Sequence, residues 1–376
     1  MSDLNAFDEF FMQKAINLAS KGIYTARPNP VVGCVIVKNK QIIGEGFHQK
    51  SGENHAEINA LNDLKKNGFD SEDATCYVTL EPCSHVGKTP PCVDALIKAK
   101  IKKVVIASTD TNPKVSSIGR LKAHGIEVLT DCLKEKADAL NQGFLKSMAK
   151  KLPFVRLKLA SSIDGKTALL SGESKWITNE KSRLDVQKLR ARSGAIITGI
   201  GTILADNPSM TVRVNTWDKK DMPSVEIKQP LRVIFDRCLT INPNANILHE
   251  NGCVWLVTKS DDQAKINDLT NNKKITIISV KDKNNPLKYI LEKLVEHEIY
   301  DVLVEAGHQL SSAFLKAELV DEFWLYQAPI LMGNDAFDLF DFKIEKMKEK
   351  TKLKLLSVKQ FDDDLRLIYK PVNHKK

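Results

Sequence analysis

Two periods of apolar spacing run through this chain, and the places where one gives way to the other mark out its elements. Over residues 8–21 the side chains Phe11, Ala15, Leu18 and Ala19 recur three and four apart, the spacing of a helix buried along one face. Val31 to Val37 and Ile42 to Phe47 are short apolar runs separated by Lys38-Asn39-Lys40, which predicts two strands joined by a polar turn. The pattern then predicts a helix from near His55 to about Lys66, a strand over 75–80, a helix over 93–100, a strand over 103–108, a helix over 117–124 and a strand over 126–129. A hairpin followed by strands alternating with short helices predicts a layered α/β domain. Residues 133–149 read as one linking helix, ended at Lys150-Lys151-Leu152-Pro153.

The alternation then starts afresh. Strands are expected at 154–161, 195–200, 231–235, 254–257, 275–280, 301–305, 323–327, 352–357 and 365–369, with helices at about 179–192 and 287–297. This is a second α/β domain, so the chain divides at 1–150 and 151–376. The polar stretch 215–230, with Pro223 and Pro230, suits an exposed loop. Neither an internal repeat nor a low-complexity tract interrupts the pattern.

Composition narrows the class. With 376 residues, 42% hydrophobic and 27% charged, the chain has material for two cores and the balance of a globular protein. The net charge of +9 suits nucleic acid, a membrane surface or phosphorylated small molecules. No Arg/Lys run is dense enough for a nucleic-acid arm, and the tail Asn373-His374-Lys375-Lys376 is expected to be solvated. No segment approaches the ~18 uncharged apolar residues of a membrane helix. The N-terminal residues lack a signal peptide's basic start and apolar stretch, so a cytoplasmic location is expected. Seven Cys form no secreted disulfide framework. Cys34, Cys76, Cys238 and Cys253 lie in apolar runs and are expected in the core.

The candidate chemistry lies in His55-Ala56-Glu57, Pro82-Cys83 and Pro91-Cys92. One imidazole and two thiolates make a three-ligand zinc set that leaves a fourth position for water, as catalytic sites do. Zinc brings the pKa of its water toward neutrality, and a Glu beside it can move protons between that water and a leaving ammonia. His-x-Glu followed by Pro-Cys matches the nucleobase deaminase signature, except that the second Cys comes nine residues after the first rather than three. Both Cys are placed at or near helix starts, where the thiolate is favoured. A core His with two buried Cys is the bland alternative. A structural zinc in a nucleic-acid-binding protein is another, for which His85 would be the fourth ligand.

The second half carries Ser162-Ile163-Asp164-Gly165-Lys166, the Ser171–Thr178 stretch, Asp206-Asn207-Pro208, Thr211-Val212-Arg213 and Glu305-Ala306-Gly307. Gly307 would let a backbone approach closely, and the helix start after it can hold a phosphate. Gly199-Ile200-Gly201 opens like a dinucleotide fingerprint, but Leu204 replaces the third Gly.

Together, the stretch Val78–Cys92 with His55-Ala56-Glu57 and Pro28-Asn29-Pro30-Val31-Val32-Gly33 resembles the bifunctional deaminase/reductase family of riboflavin biosynthesis, in which a wide Cys–Cys gap is usual. The second-half segments resemble the same family's reductase domain. The resemblance implies a cytidine-deaminase-like three-layer domain followed by a dihydrofolate-reductase-like domain. It implies deamination of a phosphoribosylamino pyrimidine and then reduction of its ribosyl chain to ribityl by NADPH. His55, Cys83 and Cys92 would bind Zn2+, and Glu57 would shuttle the proton. Asn29 and Lys88 would contact the deaminase substrate, with His85 and Lys88 in a loop over its phosphate. Ala160, Trp176, Thr202, Asp206 and the run Gly307, His308, Gln309, Leu310, Ser311, Ser312 and Ala313 would hold the cofactor. Lys158, Ser174, Arg190, Met210, Arg213 and Glu305 would face the reductase substrate, Arg190 and Arg213 on its phosphate. Asn112-Pro113-Lys114-Val115-Ser116-Ser117-Ile118 is shorter than the family's usual segment. The partners expected are small phosphorylated pyrimidines in a homo-oligomer, with no nucleic acid or membrane. The rival reading is a zinc nucleoside or tRNA deaminase with an unrelated C-terminal domain, which a Cys-x-x-Cys pair would have favoured.

Overall fold

A computed structural model describes residues 4–84, 90–110 and 116–372. It divides the chain into two compact units, 1–151 and 152–376, with the stretch Pro223–Ile227 grouped with the first. Lys88, His85, residues 112–115 and the Lys-rich tail lie outside the described residues. Among the described residues no helix is long and apolar enough to cross a membrane.

The first unit runs α1 (Ala6–Ser20), β1 (Gly33–Lys38), β2 (Gln41–Phe47), α2 (Ala56–Lys66), β3 (Thr75–Leu80), α3 (Cys92–Lys98), β4 (Lys103–Ser108), α4 (Ser117–Ala123), β5 (Glu127–Leu129), α5 (Lys134–Asp138) and α6 (Gln142–Lys150). The sheet order is β2-β1-β3-β4-β5. The first two pairings are antiparallel and the last two parallel. Asn5 starts α1 by accepting from the Phe7 and Asp8 amides, while the Asp8 carboxylate accepts from the Asn5 amide. The helix then buries Phe11, Met12, Ala15 and Ile16 against Val35, Val37 and Tyr77 on one face of the sheet. On the other face Ala56, Ala60, Leu61 and Leu64 of α2 pack with Cys34, Ile36 and Val78. The result is the three-layer arrangement the alternation predicts.

The second unit has β6 (Phe154–Ser161), β7 (Lys166–Ala168), α7 (Glu180–Arg192), β8 (Ala195–Gly199), α8 (Ile200–Asp206), β9 (Leu231–Phe235), α9 (Asn246–His249), β10 (Val254–Thr258), α10 (Gln263–Thr270), β11 (Ile275–Ser279), α11 (Pro286–Glu296), β12 (Asp301–Glu305), α12 (His308–Lys316), β13 (Glu322–Gln327), β14 (Phe337–Asp338), β15 (Lys352–Phe361) and β16 (Asp364–Val372). Its main sheet has the order β11-β10-β9-β8-β12-β6-β13-β16-β15. The strands from β11 to β13 are parallel, and the β15–β16 hairpin closes the edge antiparallel. Alternation along β6 sends Val155, Leu157 and Leu159 into the core under α11 and α12. The opposite face packs under α7, through Val186 and Leu189. A buried Asp364 carboxylate anchors the start of α7, accepting from the Asn179 amide at 2.8 Å and the Ser182 hydroxyl at 2.7 Å.

Four expectations are corrected. The linking helix over 133–149 is two helices, α5 and α6. The break comes where the buried Asn141 side chain pairs with the Val31 backbone, accepting at 2.7 Å and donating at 2.8 Å. Cys238 and Cys253 are exposed, unlike Cys34 and Cys76, because they sit in the turns after β9 and before β10 rather than inside those strands. The segment 215–230 has no strand, yet Trp217 and Ile227 within it are buried. Residue 200 opens α8 instead of ending a strand.

Glycine sets how closely α2 lies on the sheet. A methyl on Gly46 would fall 2.4 Å from both the Ala56 oxygen and the Ala60 nitrogen, and one on Gly44 would fall 2.4 Å from the Ala60 oxygen. Gly46→Ala must therefore push α2 outward. Overpacking of this kind costs about 1–3 kcal/mol or more, so a lowered urea midpoint for the first unit is expected, and an unchanged midpoint would show that the helix can shift freely.

Candidate functional site

Three chain segments of the first unit meet at one point. His55 is the N-cap residue of α2, and Glu57 sits in that helix's first turn. Cys83 follows β3, and Cys92 opens α3. His55 Nδ1 is 3.5 Å from Cys83 Sγ and 3.3 Å from Cys92 Sγ. The three ligand atoms lie within 4.8 Å of one another. A tetrahedral zinc with ordinary Zn–N and Zn–S bonds spaces those atoms by about 3.5 Å, so the set fits that ion. The Cys92 amide donates to Cys83 Sγ at 3.3 Å, and the Val93 amide to the Cys83 carbonyl at 3.2 Å.

The electrostatics sort the groups. The Cys92 thiol and amide and the His55 ring hold the Cys83 thiol well below its ordinary value, against the effect of burial. Cys92 moves the other way, because the same contact asks it to keep the shared proton and burial adds to this. Glu57 is 3% exposed, and burial pushes its carboxyl up to about 7. Asn29 lies nearby, and its amide donates to His48 Nε2 at 3.0 Å. His48 is buried and engages the Asn54 carbonyl through Nδ1 at 3.0 Å, which fixes the tautomer that accepts from Asn29. Desolvation holds the His48 pKa down, so the neutral ring is favoured. The sequence reading missed His48: a histidine just past a strand looks like any polar turn residue.

In the second unit Lys158 and Glu305 are register partners on β6 and β12. Arg190, in the last turn of α7, donates from Nε to Glu305 Oε1 at 2.6 Å and from Nη2 to Oε2 at 2.9 Å, while Nη1 reaches the Thr211 carbonyl at 3.2 Å. Burial opposes the charge on Glu305, but Arg190, Lys158 and Arg213 outweigh it and hold the carboxyl below its ordinary value. Burial pushes the Lys158 ammonium down, Arg190 adding to it and Glu305 opposing. Arg213 is exposed and Met210 buried. Ser174 Oγ lies 3.4 Å from Asp206 Oδ1. Thr202 of α8 and Gly307, the N-cap of α12, are neighbours: a methyl on Gly307 would fall 3.9 Å from Thr202 Oγ1. No side chain caps α12, so its first amides are available to an anion. Trp176 is 68% exposed, with the Arg183 guanidinium 4.6 Å over its ring. Within α12 the Ser311 hydroxyl is spent on the Ala306 carbonyl and the Ser312 hydroxyl on the Asp341 amide. The His308 ring stacks on Phe337.

The profile described as the cytidine and deoxycytidylate deaminase zinc-binding region matches residues 5–108. That described as the RibD C-terminal domain matches residues 153–367, more than half of the chain. The riboflavin biosynthesis protein RibD of Haemophilus influenzae is 42% identical, over 99% of each chain. The chain belongs to the RibD family. The RibD of Escherichia coli is 41% identical, covering 95% of this chain and 98% of its own. Among solved structures, the Acinetobacter baumannii RibD superposes with a TM-score of 0.89 at 45% identity, over 98% of this chain and 99% of that one. A Thermotoga maritima protein titled diaminohydroxyphosphoribosylaminopyrimidine deaminase/5-amino-6-(5-phosphoribosylamino)uracil reductase gives 0.85 at 36% identity, over 97% and 99%. The fold is therefore a cytidine-deaminase-like domain followed by a RibD-type reductase domain. The chain is a bifunctional deaminase and reductase of riboflavin biosynthesis, and the nucleoside or tRNA deaminase with an unrelated second domain is set aside.

For a RibD-type zinc centre, the geometry makes a selective demand on cysteine. Cys83→Ser and Cys92→Ser should each lose the bound metal, whereas Cys76→Ser, in the core, should keep it. Zinc content of the purified variants by atomic absorption decides this, and full retention by Cys83→Ser would remove that thiol from the ligand set.

Proposed function

We propose that His55, Cys83 and Cys92 hold zinc and that Glu57 moves the protons of the deamination. The convergence of the His55 nitrogen and two sulfurs beside one buried carboxyl carries this reading. When bound, zinc supplies water of lowered pKa at the position the three ligands leave open. Glu57 takes the proton from the attacking water and passes it to the departing ammonia, a transfer suited by a carboxyl whose pKa sits near neutrality. Asn29, its amide oriented by His48, binds the pyrimidine ring. The substrate is the one the Thermotoga protein is named for: a diaminopyrimidinone bearing a phosphoribosylamino group.

In the second unit the reduced nicotinamide cofactor is NADPH, which supplies hydride. Gly307 to Ala313, at the uncapped start of α12, would hold its phosphates, and Ala160, Trp176, Thr202 and Asp206 would hold the rest. Lys158, Ser174, Met210 and Glu305 face the ribosyl chain of the aminouracil. The expected role of Arg190 changes. Its fork is committed to Glu305, so Arg213, exposed nearby, is the guanidinium assigned to the substrate phosphate. A cytoplasmic location and a homo-oligomeric state belong to the same reading, and fractionation and sedimentation test them.

The direct test incubates the diaminopyrimidine phosphate with the zinc-loaded chain and NADPH and follows both products by mass spectrometry. Glu57→Gln should keep zinc and lose deamination by about 10²–10⁴-fold, yet still reduce the deaminated substrate. Deamination at the unmodified rate would refute the assigned role. Arg213→Ala should raise the reductase KM for the phosphorylated substrate roughly tenfold, and much less for the dephosphorylated analogue. Equal losses on both would place Arg213 in the fold instead.

A further inference from the structure

Glu305 and Lys158 stand on strands, but the guanidinium that orients Glu305 comes from α7, so the reductase site depends on where that helix lies along the sheet. Besides the Asp364 anchor at its start, one interaction ties it to the sheet. Asp185, about 1.4 turns before Arg190 on α7, accepts through Oδ2 from the Tyr326 hydroxyl of β13 and from Arg366 Nη1 of β16, both at 2.7 Å. Tyr326 is fully buried, and the ion pair is nearly so, at 14% exposure of each side chain. Burial and Asp185 keep the phenol well above its ordinary pKa, so it is a permanent donor. The Tyr326 ring in turn lies under Lys158, whose Nζ is 5.9 Å from its centre. The Arg366 guanidinium lies over the Trp324 ring, its Cζ 4.8 Å from the ring centre. A single carboxylate thus ties the helix carrying Arg190 to the ring beneath Lys158.

We propose that Asp185, acting through Tyr326 and Arg366, is a positioning residue of the reductase: it sets the register of α7 that aims Arg190 at Glu305, and it fixes the aromatic floor of Lys158. This rests on the assignment of Lys158 and Glu305 to the reductase substrate. Neither Asp185 nor Arg366 is placed in contact with that substrate. A side chain that serves only stability would lower the melting temperature without favouring one ligand over another. A positioning residue disturbs the substrate more than the cofactor, whose phosphates are assigned to the start of α12.

The test uses the full-length zinc-loaded chain. Asp185→Asn and Tyr326→Phe keep the shape and remove, respectively, the charge and the hydroxyl. Each should raise the reductase KM for the deaminated phosphorylated substrate by about tenfold, the size of one charge-assisted hydrogen bond. NADPH affinity by fluorescence titration should change much less than the substrate KM, and the deamination rate, which belongs to the other unit, should stay within about twofold. Arg366→Lys, which keeps a cation beside Asp185, should recover most of what Arg366→Ala loses. An unchanged KM in both Asp185→Asn and Tyr326→Phe overturns the proposal. So does a parallel fall in NADPH and substrate affinity, which marks a fold defect. Glu305→Gln is the reference. If it impairs reduction while Asp185→Asn does not, the positioning role alone fails. If it leaves reduction intact, the assignment of the site fails, and the proposal with it.

Discussion

A carboxylate taken out of water must be protonated or paired, and each half of this chain is arranged around one solution to that constraint. Glu57 is buried beside His55 and the Cys83 and Cys92 thiols, and burial pushes its carboxyl up to about 7. Glu305 is buried to a similar degree, yet Arg190 grips both its oxygens and holds it ionised. In the function proposed above, the same residue type is a proton carrier in one unit and a fixed anion in the other. The difference lies in what faces it, and environments that push like groups apart in this way are how acid and base roles are divided.

Both carboxylates owe their surroundings to helix placement. Glu57 and His55 ride on the start of α2, which approaches the sheet closely because Gly44 and Gly46 carry no side chain there. Glu305 stands at the carboxyl end of β12, where open parallel sheets present their ligand crevices. Without α7 above it, it would lose the Arg190 fork, the largest of the interactions that offset its burial. The anchors of α7 are spread along the C-terminal hairpin: Asp364 at its first turn and Arg366 at Asp185. The last strands of the chain are therefore part of the reductase, although none of their residues was expected to touch a ligand.

What the sequence disclosed follows the range of the interaction. The β3, β4, β6 and β12 strands were legible because an apolar run between turn residues is a local signal. The deaminase constellation was legible because its residue types and flanking prolines are distinctive in themselves. The partner of Arg190 was not: Glu305 lies 115 residues away, and a lone Arg in a charged helix gives no sign of whether it meets a carboxylate or a phosphate. Asp185 and Tyr326, 141 residues apart, were invisible for the same reason. The α5–α6 break escaped because it is made by a tertiary contact, the Asn141 side chain on the Val31 backbone. Cys238 and Cys253 were misread because apolar neighbours in sequence do not tell a strand interior from its end.

The nine-residue gap between Cys83 and Cys92 shows how structure replaces a missing local constraint. In a Cys-x-x-Cys pair the short tether itself brings the thiolates together. A longer tether costs little more closure entropy, since that cost rises only slowly with length, but it no longer dictates geometry. Here the geometry is restored by direct bonds across the gap. The Cys92 and Val93 amides donate back to the sulfur and carbonyl of Cys83. Arg120 of α4 then holds both flanks, with Nη1 on the Ser84 carbonyl at 3.1 Å and Nη2 on Asp94. The two thiolates are set by what lies at the ends of the loop, not by the loop's length.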